Sequence, residues 1–114
     1  MAALKKDDGS VVSARCDVAT TSLKRMKGLL GKSGLDPDEG LLFPYTGSVH
    51  MFFMRFPIDV VFCDEDLQVL EVVRGLKPWR TARRRGAKTT IELAVGSADG
   101  VQPGDRLVLD SIET

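Results

Sequence analysis

Between His50 and Cys63 the chain reads His-Met-Phe-Phe-Met-Arg-Phe-Pro-Ile-Asp-Val-Val-Phe-Cys, an apolar run that carries three side chains able to do chemistry. Asp59 sits between Ile58 and Val60, and an ionised carboxylate in such surroundings needs donors or an opposite charge. Arg55, four residues earlier, and Arg25 are the two guanidiniums that could hold it bidentately. One reading is a pocket lined by His50, Arg55 and Glu39, in which Asp59 and His50 perform hydrolysis and Arg55 clamps an anion. The other makes Asp59 structural, as an ion pair or as a carboxylate that caps turn amides. His50 is the only histidine, and neither Cys16 nor Cys63 stands at ligand spacing to it, so neither a metal nor a cofactor is expected. Ser48 and Cys63 lie near these residues in sequence but lack the surroundings of an activated nucleophile.

A second chemistry is written into residues 74–88. Arg74, Lys77, Arg80, Arg83, Arg84, Arg85 and Lys88 fall there with no acid among them and with Trp79 in their midst. Cations beside an aromatic ring suit phosphate contact plus base stacking. The expected ligand-binding residues are therefore Arg55, Glu39, Arg25, Trp79, Arg80, Arg83, Arg84 and Arg85, and the expected partner is an anionic small molecule or nucleic acid. A solvated loop pinned by Trp79 is the plainer account of the same run.

The elements that must position these groups follow from periodicity. Ala14, Cys16 and Val18 alternate with polar residues over Val11–Val18, which predicts a strand. Thr20, Thr21 or Ser22 can cap a short helix that places Leu23, Met26 and Leu30 on one face and stops at Gly31. Short strands are expected at Leu41–Phe43, Val49–Met54, Ile58–Cys63, Leu67–Val73, Thr89–Val95 and Arg106–Asp110. The acidic turn Asp64-Glu65-Asp66 joins two of them as a hairpin. Pro57 forces a break or bulge that aims Arg55 and Asp59 together. Residues 1–9 are expected to be a flexible terminus and 74–88 a loop. The fold class is mainly β with one short α-helix: a small antiparallel β-barrel-like single domain of six or seven strands over residues 10–114. Its expected core is Val18, Leu23, Met26, Leu30, Leu42, Phe53, Ile58, Val60, Phe62, Leu70, Val72, Ile91, Leu93 and Leu107.

Composition narrows the setting. The 114 residues contain 16 basic and 16 acidic side chains, so net charge points to no partner and only its local distribution can. The N-terminal run is too charged for a signal peptide, and no apolar run reaches membrane-spanning length. A cytoplasmic protein with two reduced thiols is expected, monomeric or weakly dimeric and without membrane contact.

Arg25-x-x-Gly28-Leu29-Leu30, Glu39-Gly40-Leu41-Leu42-Phe43, Phe52-Phe53-Met54-Arg55-x-Pro57-Ile58-Asp59-Val60-Val61-Phe62, Ile91-Glu92-Leu93-x-x-Gly96 and Gly104-Asp105 occur in this order. Together they resemble the uncharacterised family called domain of unknown function 192, also known as uncharacterised protein family 0127. The resemblance covers roughly residues 10–110 and implies a small β-barrel-like domain with a helix, and it implies no activity. Arg55 stands where many members have Asn. The function expected from the residues is a non-catalytic binding domain acting through the basic loop, with the small hydrolase and a structural or partner-binding role as alternatives.

Overall fold

A computed structural model describes residues 2–19, 34–51 and 54–111. Its centre is β5 (Ile58–Cys63), in which every residue is buried. Ile58, Val60 and Phe62 point into one apolar cluster with Val49, Met51, Met54, Phe56 and Leu76. Val61 and Cys63 point into another with Leu4, Cys16, Leu42, Val69, Ile91, Leu93, Ala98, Val101 and Leu107. A strand that is apolar on both faces is what burial between two layers requires.

Around it run β1 (Ala2–Lys6), β2 (Val11–Val18), β3 (Glu39–Pro44), β6 (Val69–Leu76), β8 (Thr89–Leu93) and β9 (Leu107–Ser111), in the order β6-β5-β8-β3-β2-β1-β9. All neighbours are antiparallel except β2 and β3, which run parallel with Cys16 opposite Gly40. At Gly40 a Cβ would stand 2.9 Å from Leu93 Cδ2 and 3.0 Å from Ser13 Oγ, so a larger residue there would have to displace the side chains packed where β2, β3 and β8 meet. A separate two-stranded ribbon pairs β4 (Ser48–His50) with β7 (Thr81–Arg83).

The mainly β class is observed, with differences in detail. Nine strands are described where six or seven are expected, and the sheet is mixed and open. Next to its edge strands β6 and β9 the chain makes one isolated bridge, Gln68 opposite Arg106, with Val69 N–H to Asp105 O at 2.8 Å, Leu107 N–H to Leu67 O at 2.9 Å and Gly104 N–H to Val69 O at 2.9 Å. A barrel would need that contact to continue as a ladder. The expected helix and its residues Leu23, Met26 and Leu30 lie outside the described residues, as does Phe53; among the described residues there is no helix.

Within residues 2–9 the chain is not simply a loose tail. Ala2–Lys6 is inserted between β2 and β9, and Leu4 is wholly buried. Of the strand expected at Val49–Met54, the described residues put Val49 and His50 in β4, which belongs to the ribbon, while Met51 and Met54 are not strand. Residues 74–88 are not all loop, because Arg74 lies within β6 and Thr81–Arg83 forms β7. Val18 is exposed rather than core. Earlier in the same strand a bulge shifts the pattern: Ala2 faces Cys16 but Leu4 faces Ser13, so β2 carries an extra residue and Ser13 takes the inward place expected for Ala14 while Cys16 stays inward. Leu70 and Val72 are only half-buried, as members of edge strand β6.

Candidate functional site

Asp59 alternates with Val61 and Cys63 along β5, so its carboxylate enters the side of the sheet that holds the cluster around Val61 and Cys63, where it is 1% exposed. One oxygen, Oδ1, accepts the Gly75 amide at 2.9 Å. The other accepts the amides of Gly96 at 3.0 Å and Ala98 at 3.2 Å. The two glycines adopt φ of 64° and 97°, which residues with a Cβ seldom do. Gly75 belongs to a bulge in β6, since Ile58 faces Leu76 while Val60 faces Val73 and two residues lie opposite Asp59. The bulge thus sits on the strand facing Asp59 and not at Pro57, and its free N–H is what the carboxylate takes up.

Arg74, next to that glycine, grips the same turn by its carbonyls. Its Nη2 donates to Ala98 O at 3.1 Å and to Val101 O at 2.6 Å. Asp59 and Arg74 therefore hold the segment 96–101 from both sides, amides by the anion and carbonyl oxygens by the cation.

The sequence candidates do not converge. Arg55 is exposed in the bend before Pro57 and does not reach Asp59, whose oxygens are occupied by backbone amides. His50 is exposed on the ribbon, and because Val49 turns inward to Ile58, Val60 and Phe62, His50 faces away from β5. The sheet and the cluster around Ile58, Val60 and Phe62 lie between it and Asp59, so the two side chains are not brought into one pocket. Glu39 opens β3 opposite Arg15, half-buried, with Oε1 3.4 Å from the Asp36 amide. Arg25 lies outside the described residues. Burial pushes the thiols of Cys16 and Cys63 up to about 12, with Asp17 and Asp64 adding smaller contributions, and both are free and buried. Neither is a nucleophile at neutral pH. Among the described residues no three His, Cys, Asp or Glu side chains are grouped to hold a metal ion.

The basic residues do gather, on the ribbon and its two ends. Ser48 faces Arg83 and His50 faces Thr81, all four exposed, while Val49 and Ala82 supply the inner face. At one end the Trp79 amide donates to Met51 O at 2.7 Å. At the other, Arg84 N–H reaches Gly47 O at 3.0 Å and Thr46 N–H reaches Lys88 O at 3.2 Å. Arg84 Nη1 pairs with Glu71 Oε1 at 3.1 Å. Among the described residues no carboxylate forms a salt bridge with Lys77, Arg80, Arg83, Arg85 or Lys88, and all five are exposed. Trp79 is 59% exposed.

Two residues escaped the sequence reading. Tyr45, between β3 and β4, is 95% exposed with φ of 57°; its only signal is the preceding Pro44. Glu92 is buried on β8 between Leu41 and Val60, and the signal was there, since it too is a lone acid in an apolar strand. It carries an interaction of its own.

The features define a small mixed-sheet domain whose one buried carboxylate on β5 is structural and whose basic side chains are displayed on a ribbon. By sequence the chain belongs to the DUF192 family, described as "Uncharacterized ACR", whose pattern matches residues 3–109. A UPF0127 protein of Thermococcus sibiricus is 35% identical over 101 residues, covering 84% of this chain and 65% of that protein. The chain thus spans about two thirds of that relative's length. A UPF0127 protein of Pyrococcus horikoshii is 33% identical over 99 residues, covering 79% of this chain and 83% of the relative. Among solved structures, a Novosphingobium aromaticivorans protein of unknown function superposes with a TM-score of 0.76 at 25% identity, over 94% of this chain and 82% of its own. A Sinorhizobium meliloti protein described as a "putative transcription regulator" superposes with a TM-score of 0.79 at 24% identity, over 95% and 91%, and shows a shared fold. No helix among the described residues is long and apolar enough to cross a membrane.

Proposed function

We propose that the chain is a non-catalytic binding domain for an anionic ligand or nucleic acid, which it holds through the basic ribbon in residues 74–88. The observation that carries this reading is the set Lys77, Arg80, Arg83, Arg85 and Lys88, exposed together with no acid bridged to them among the described residues. Surface cations left unneutralised attract polyanions and release counterions on binding. Two buried, unbridged thiols suit a cytosolic setting.

The test is binding to nucleic acids and inorganic polyphosphate at low salt, followed by titration with salt. The expected result is a linear fall of log affinity with log salt, and the variant R83E/R85E should lose binding at all salt concentrations. No interaction with any polyanion at low salt would overturn the reading.

A further inference from the structure

We infer that the β4–β7 ribbon takes single-stranded nucleic acid, with Tyr45 and Trp79 as stacking platforms at its two ends and Arg83 with its basic neighbours on the phosphates. This rests on the basic-ribbon reading above and names the ligand class. Among the described residues, three other than glycine have positive φ: Tyr45 at 57°, Leu67 at 63° and Trp79 at 68°. A Cβ makes that conformation costly, so a residue held in it invites a functional explanation. Two of the three are aromatic, and they bracket the ribbon.

Burial separates these two rings from the other described aromatic side chains. Phe43, Phe56 and Phe62 are 1%, 7% and 0% exposed, whereas Tyr45 is 95% and Trp79 59% exposed. Trp79 makes a contact within the protein and still presents more than half its surface. The backbone fixes where each stands. Trp79 follows Met51 through the bond from its amide to Met51 O, and Tyr45 precedes Thr46, whose amide is tied to Lys88 O. From residue 45 to residue 51 an extended chain covers at most about 20 Å, the length of on the order of six stacked base steps. Between the rings lie the exposed pairs Ser48–Arg83 and His50–Thr81, with Arg80 and Arg85 adjoining. Aromatic rings among cations match a strand whose base faces are free, and a duplex offers none of its base faces along its length.

The experiment uses the full chain, labelled oligothymidylate and oligouridylate of about ten nucleotides, a duplex of equal length, and inorganic polyphosphate as an anion without bases. Single strands are expected to bind tighter than duplex or polyphosphate and to quench the fluorescence of Trp79, the chain's one tryptophan. Either sugar supports the inference, and the tighter one names the strand. Tyr45→Ala and Trp79→Ala should each weaken single-strand binding about 5- to 150-fold while leaving polyphosphate binding unchanged. Trp79→Phe should keep most of it. Tyr45 is so exposed that its truncation leaves the fold intact, which keeps the test informative even where Trp79→Ala perturbs the ribbon. Aromatic variants that bind like the parent, or duplex bound as tightly as single strands, would overturn the inference; retained polyphosphate binding in that case leaves the basic-ribbon reading standing. Loss of every polyanion interaction overturns both.

Discussion

At the scale of the residue, Asp59 shows how a suspicious carboxylate can be wholly structural. An acid in an apolar strand has to satisfy its oxygens, and here three backbone amides do so, two of them from glycines at positive φ. Asp59→Ala leaves those amides buried without acceptors, and we expect a loss on the order of 3 kcal/mol in urea unfolding. Asp59→Asn keeps one acceptor oxygen and should lose less. Polyanion binding at equal folded fraction should be the same for both variants as for the parent. A stable Asp59→Ala protein would show that the three bonds contribute nothing net. That Asp59 needed partners was legible in Ile58-Asp59-Val60. That the partners were Gly75, Gly96 and Ala98 was not, because two of them lie more than thirty positions away.

At the scale of the element, the run from Arg74 to Lys88 divides. Seven cations with no acid look alike in sequence, yet Arg74 belongs to β6 and grips Ala98 O and Val101 O, Arg84 meets Glu71, and Arg83 is displayed on β7. The two ends of the run should therefore respond differently. Arg74→Ala should cost about 1–3 kcal/mol of stability and speed amide exchange in residues 96–101, with little change in salt-dependent binding. Arg83→Glu should do the reverse. If Arg74→Ala weakened binding and left stability untouched, the clamp would be misassigned. Strands were legible where the pattern was local: β2 at Val11–Val18 and β5 at Ile58–Cys63 have the expected bounds. β1 and β7 were not, because each is short, carries charge, and is a strand only by virtue of a distant partner.

At the scale of the whole molecule, the two thiols report on the packing of the larger cluster. Cys16 and Cys63 are fully buried there, and burial raises each from the usual 9.0 to about 12. The folded state keeps protons that the unfolded chain releases above pH 9, so this contribution is complete below pH 9 and is lost as pH rises toward 12. The urea midpoint should accordingly fall between about pH 9 and about pH 11, and the paired Cys16→Ala, Cys63→Ala variant should flatten that fall. Thiol reagents should label the native protein only as fast as it opens. Rapid labelling of the folded chain at neutral pH would contradict the burial.

The order of the residues was enough for the family, the predominance of strands, the bounds of β5 at Ile58–Cys63, and the fact that Asp59 required partners. Those properties follow from local order: alternation, breakers, and an ionisable group among apolar neighbours. Long-range pairing decided the openness of the sheet, the insertion of Ala2–Lys6, the bulge that turned Ser13 inward in place of Ala14, and the separation of His50 from Asp59. Each of these depends on pairing between segments far apart in the chain, where a one-residue shift in register exchanges the two faces of a strand and no short stretch of sequence records the shift.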